Sequence, residues 1–163
     1  IFKGDAEVQI FLESHQLLFK TESCQLISRL IDGTYPEYSA IIPKQVPTTL
    51  IVARNDFLNA VKLVSGFSGK TSDIKFKLSK DEQAIEVSAA NQNVGENQYR
   101  IPVKQKTGAG FTEISFNWRY LADGVRPILS QQLSLGIVAE NKPAVIKPVE
   151  DESLLYIVMP INN

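Results

Sequence analysis

Two stretches of this chain run through the same order of elements, and that repetition limits the possible folds more than any single residue does. In the first, "TTLIVA" (48–53) is apolar and β-branched and reads as a strand. "RNDFLNAVKLVSGF" follows, with Phe57, Val61 and Val64 at i, i+4 and i+7, the spacing of one helical face. Asn55 is the candidate N-cap, and Gly66 and Gly69 mark the end of the helix. Three strands come next: Ile74, Phe76 and Leu78 alternate with lysines, Ile85 and Val87 alternate with Glu86 and Ser88, and Tyr99 to Val103 continues the sheet. The order then restarts. "TEISFN" (112–117) is a strand, "WRYLADGVRPIL" a helix with Leu121, Val125 and Ile128 on one face, and "QLSLGIVA", "PAVIKP" and "LLYIVMPI" supply three more strands. A shift of 63 positions sets Phe57 on Tyr120 and Leu58 on Leu121. The identity is faint, but the order β-α-β-β-β is the same twice, so an internal duplication is the economical reading. Pro127 has no backbone donor, which predicts a second helix kinked or shortened near its end.

One apolar stripe per helix over a largely antiparallel sheet predicts an α+β fold. Duplicated βαβββ units with pseudo-two-fold symmetry would form a two-layer domain, helices on one face and strands on the other, over residues 48–163. Residues 1–35 are different. Val8 to Leu12, Gln16 to Lys20 and Cys24 to Ile31 read as three strands separated by turn-sized "ESH" and "TES". Three strands leave one apolar face bare, so they read as the incomplete end of a preceding copy. Between the two lies "LIDGTYPEYSAIIP" (30–43) and the connector proper, 36–47. Gly33 permits a sharp reversal, and Pro36 and Pro43 bias their neighbours toward extended backbone. Such a tether is expected to bury Tyr35, Tyr38, Ile41 and Ile42 at a seam between domains. The chain opens Ile1-Phe2-Lys3, which suggests a piece of a longer protein.

The rest of the composition narrows the function classes. The formal charge is −1, so no strong basic field is available to hold nucleic acid by counterion release, and any contact with DNA would be weak, local or topological. Cys24 is the one cysteine and His15 the one histidine, which leaves no cysteine zinc site and no convincing catalytic relay. No phosphate-binding, dinucleotide or nucleophile-elbow motif occurs. Glu150-Asp151-Glu152 and Asp81-Glu82 read as solvated turns rather than metal ligands. No apolar run approaches the length of a membrane span. Neither a cofactor nor a metal is expected, and the chain reads as non-enzymatic.

"SRLIDGTYPEYSAIIP", "FNWRYL" and the terminal "YIVMPINN", in that order, resemble the bacterial sliding clamps, the beta subunit family of DNA polymerase III. The resemblance implies three similar domains per subunit and a cytoplasmic ring of two subunits joined head to tail as a homodimer. Double-stranded DNA would be held by encirclement. This chain would carry the last strands of the middle domain and the whole third domain. The resemblance also implies an apolar groove in which the polymerase alpha subunit, the clamp loader and other clamp-binding proteins dock short peptides of the Gln-Leu-x-Leu-Phe type. The matching positions are Pro36, Ala40 and Ile41 from the connector, Asn117 and Tyr120 at the second helix start, and Asn141 and Pro143 from a strand turn. Ile157, Val158, Met159, Pro160, Ile161, Asn162 and Asn163 come from the end of the chain. Ile157 and Val158 alternate, so only one can face the groove directly, the other being core. Ala40 and Asn162 stand where many relatives carry basic side chains. Phe67 would lie near a subunit interface, although helix-end packing accounts for it nearly as well. Gln132-Leu133-Ser134-Leu135 looks like a partner's clamp-binding peptide, but in a strand it reads as coincidence. A second reading is a β-rich single-strand nucleic-acid binder with Tyr35, Tyr38 and Trp118 as stacking platforms.

Overall fold

The apolar runs of the first 31 positions form a meander of β1 (Gln9–Leu12), β2 (Gln16–Lys20) and β3 (Gln25–Arg29), each strand antiparallel to the next. The computed structural model describes residues 7–151 and 153–161, and the chain divides into two compact units between Glu37 and Tyr38. Directly opposed residues share a face of a sheet. The register Ile10↔Phe19 and Leu12↔Leu17, continued by Phe19↔Leu26, therefore gathers five apolar side chains on one face of the meander. Ile10 is 62% and Leu12 72% exposed. Leu17, Phe19 and Leu26 are half-buried, and the other face carries Phe11, Leu18 and Ile27, of which Phe11 and Ile27 are exposed, so burial does not single out one bare face. The turn beyond β3 uses Gly33 at φ +141°, a conformation closed to ordinary side chains.

The second unit begins with a correction to the extended tether. Tyr38–Ile41 is a 3₁₀ helix, which closes its backbone hydrogen bonds locally and sends successive side chains in three directions. Only Ile42 and Pro43 become half-buried, while Ile41 stays exposed, as does Tyr38. Tyr35, in the first unit, is 80% exposed, so the burial expected of these residues is not found.

β4 (Thr48–Ala53), α1 (Arg54–Ser65), β5 (Asp73–Leu78), β6 (Ala84–Asn91) and β7 (Gly95–Thr107) form the first copy. β8 (Ile114–Asn117), α2 (Trp118–Val125), β9 (Gln132–Ile137), β10 (Ala144–Pro148) and β11 (Tyr156–Val158) form the second. Their strands make one antiparallel sheet in the order β11-β10-β9-β4-β7-β6-β5-β8. β7 joins the halves. It pairs with β6 up to Pro102 and with β4 from Val103, and a register shift at Ile51/Val52 takes up the bend.

The duplication is real in element order, and the structure corrects its offset. α1 starts at Arg54 and α2 at Trp118, a shift of 64, so Phe57 matches Leu121, Val61 matches Val125 and Val64 matches Ile128. All six are buried, whereas the 63-residue offset would set buried Phe57 on exposed Tyr120. Faint identity chose the wrong register; burial of the apolar stripe chooses the right one. The stripe of α1 packs on β4 to β7, and Phe57, Phe76 and Phe116 run through the core with ring centroids 5.9 and 5.7 Å apart.

The helix ends differ from expectation too. Asn55 does not cap α1, because the helix leaves β4 without a linker and the capping position falls on Ala53, which has no capping side chain. The Arg54 N–H donates to Gln131 C=O instead (2.9 Å), and its guanidinium donates to Arg126 C=O (2.8 Å). In the second copy the same position is Asn117, which does cap: its Oδ1 accepts from the Arg119 N–H at 3.0 Å. α2 ends at Val125, ahead of Pro127, as its missing donor predicts.

Candidate functional site

A strand leaving the sheet edge, a turn and the connector meet around one hollow. Val138 to Pro143 links β9 to β10 through a turn in which the Lys142 N–H donates to Ala139 C=O (3.2 Å). The connector's far end is pinned by Thr48, whose hydroxyl donates to Gly110 C=O (3.3 Å) and accepts from the Gly110 N–H (3.2 Å). At the end of β11 Val158 is 3% exposed, in the core, and Met159, one residue past the strand, is 55% exposed. These elements enclose an open hollow of about 670 Å³ lined by Ser39 to Gln45, Val138, Asn141, Lys142, Pro143 and Met159.

Five of the residues named from sequence, Ala40, Ile41, Asn141, Pro143 and Met159, therefore come together. Others do not line the hollow. Val158 has its side chain in the core, where the pleat puts it, and can only support the surface from below. Ile157 is half-buried beside it. Pro36 belongs to the first unit, and Asn162 and Asn163 lie outside the described residues. Phe67 is half-buried against the core at the end of α1. Leu133 and Leu135 are buried in the sheet, so the peptide-like "QLSL" is core strand. Lys44, Lys142 and Val138 were missed from sequence. Lys44 adjoins Pro43 and Lys142 lies between Asn141 and Pro143, whereas Val138 carried no local signal.

Asn117 and Tyr120 sit at a second cluster, reached along the end of the chain. Pro160 has no N–H, and pairing resumes at Ile161, whose N–H donates to Ser115 C=O of β8 at 2.8 Å. Pseudo-symmetry would place a full β8–β11 ladder here, equivalent to β4–β7; among the described residues this bond stands in its place. Tyr120 is 60% exposed on the first turn of α2, and its carbonyl accepts the Tyr156 hydroxyl at 2.9 Å. The Tyr156 ring lies over Gly124: a Cβ there would be 2.2 Å from Cε1. α2 thus fixes β11 and, three residues on, Met159.

Burial, with Asp123 and Tyr120 nearby, pushes the Tyr156 phenol pKa up. A raised folded pKa holds its stability below the unfolded tyrosine's value of about 10 and loses it as pH rises through the folded value. Tyr156→Phe should cost about 1 kcal/mol at neutral pH, the worth of one hydrogen bond. Above pH 10 the wild-type unfolding midpoint should fall faster than the variant's. Parallel pH profiles in denaturant would rule out this role for the hydroxyl.

Asp81 is held below the usual carboxylate range by the Ser79 hydroxyl, and Asp151 by Ser153, each an exposed turn. Glu152 lies outside the described residues. Among the described residues no three His, Cys, Asp or Glu gather to hold a metal, and no helix is long and apolar enough to cross a membrane. Trp118 is partly buried against the core with the Arg119 guanidinium 4.9 Å from its ring centroid.

Residues 39–162 match the family described as DNA polymerase III beta subunit, C-terminal domain. The chain belongs to this family. It is 27% identical over 158 residues to the beta sliding clamp of Staphylococcus epidermidis, covering 97% of this chain and 42% of that protein. The fold is similar to a solved sliding clamp of Pseudomonas aeruginosa, with TM-score 0.84 and 25% identity over 99% of this chain and 43% of that one. The sliding clamp of Bacillus subtilis gives TM-score 0.82 and 26% identity, covering 96% and 41%. The chain spans about two fifths of the length of these clamps, and the βαβββ duplication is the clamp fold.

Proposed function

We propose that this chain is the distal part of a sliding-clamp subunit, a processivity factor with no chemistry of its own. In this reading the second unit is the third clamp domain and the first unit is the closing meander of the middle domain. The ring of two subunits would hold double-stranded DNA topologically, for which a net charge of −1 is no obstacle. Polymerase, clamp loader and repair proteins would be tethered by short peptides laid into the hollow.

The reading rests on the convergence of the connector, the β9–β10 turn and the end of β11 on one apolar hollow. Half-buried Ile42 and Pro43 and exposed Ile41 and Met159 are the larger apolar groups of its lining. Such a surface offers anchoring pockets for two or three apolar side chains, with Asn141 to orient a backbone. The flexible thioether of Met159 can adapt to different partners. The test is a fluorescence-polarisation titration of a Gln-Leu-Ser-Leu-Phe peptide against this chain. Saturable binding that an unlabelled copy displaces is expected; a flat titration would remove the docking role.

A further inference from the structure

The hollow carries charge of one sign. Lys44, from the connector, and Lys142, from the β9–β10 turn, are the charged side chains of its lining, and no aspartate or glutamate lines it. Both lysines are exposed, and neither forms an ion pair with any described residue. The acidic neighbour in the turn, Glu140, lines the adjoining hollow with Phe111 and Thr112 instead and accepts the Glu113 N–H at 3.5 Å. The chain as a whole is slightly acidic, so nothing general draws an anion to it. Two ammonium groups, one from the connector and one from the β9–β10 turn, make a local exception.

We propose that Lys44 and Lys142 are specificity residues of this hollow and select peptides carrying an acidic side chain beside their apolar anchors. This deepens the docking reading and rests on it. The lysines supply from the connector and the turn the positive charge that Ala40 does not. Because both groups are solvent-exposed, their attraction is modest and screened by salt. It sorts peptides and speeds encounter, while the apolar contacts carry most of the affinity.

The experiment compares two labelled peptides that share Gln-Leu-Ser-Leu-Phe and differ in flanks of Asp-Glu or Ser-Gly. Against this chain at 50 mM salt, the acidic peptide should bind about five- to tenfold more tightly. The preference should shrink below twofold at 500 mM salt. Lys44→Ala with Lys142→Ala should abolish the preference, so that the acidic and neutral peptides bind this variant within twofold of each other. Lys147→Ala, an exposed lysine of β10 away from the hollow, should alter neither. Lys44→Glu with Lys142→Glu should reverse the preference toward a Lys-Lys flank. Circular dichroism checks that each variant is folded. Equal binding of both peptides to the wild type overturns this inference and leaves the docking reading standing. A preference that survives the double alanine variant also overturns it. Binding of neither peptide overturns both.

Discussion

Gly124→Ala should destabilise the second unit by about 2 kcal/mol, although alanine is the better helix former. In an open helical position the exchange would gain roughly 1 kcal/mol. Here the new methyl would stand 2.2 Å from Cε1, 2.4 Å from Cδ1 and 2.4 Å from Cζ of Tyr156. The ring must move, which costs about 1–3 kcal/mol by overpacking. Its hydroxyl then loses the Tyr120 carbonyl, worth about 1 kcal/mol more. The two losses exceed the propensity gain. Urea unfolding followed by circular dichroism should show a lower midpoint with an unchanged slope. In a Tyr156→Leu background the same exchange should become neutral or stabilising, since the clashing atoms are gone. A raised midpoint on the wild-type background would mean that the ring does not press on α2. The consequence reaches the hollow as well, because Tyr156 fixes the strand that ends in Met159.

Met159→Ala should weaken a Gln-Leu-Ser-Leu-Phe peptide about thirtyfold, the equivalent of roughly 2 kcal/mol, while leaving the fold intact. Met159 lies one residue beyond β11 and contributes to the wall of the hollow rather than to the core. Truncating it removes contact area from the ligand and creates no internal cavity, so the urea midpoint should move by less than about 0.5 kcal/mol. Ile41→Ala, also in the lining, should weaken binding as well, and the pair together should be less than additive if one anchor side chain touches both. An unchanged dissociation constant for Met159→Ala, with wild-type binding demonstrated, would place the peptide elsewhere on the unit. Loss of binding together with loss of folding would instead assign Met159 a structural role.

Much of this molecule was readable along the chain. The stripes Phe57-Val61-Val64 and Leu121-Val125-Ile128 recur at the helical period, and burial of one apolar face leaves helices so patterned little choice. Strand alternation did the same for β5 and β6, and "TTLIVA" matched β4 residue for residue. The shortened α2 followed from Pro127. Local rules were enough where neighbours in sequence are also the neighbours that compete for the same space.

Tertiary structure decided the rest. Identity placed the duplication one residue off, and only packing of both helices on a common core set the offset. The connector looked extended because prolines restrict their neighbours, yet four residues between them close into a 3₁₀ turn that leaves Ile41 at the surface. Lys44 and Lys142 are 98 positions apart and share no motif. What makes them partners is the β9–β10 turn folding toward the connector, a long-range contact that no periodicity records. Side-chain pattern fixes which face of an element is buried; which elements then lie side by side depends on the chain closing on itself.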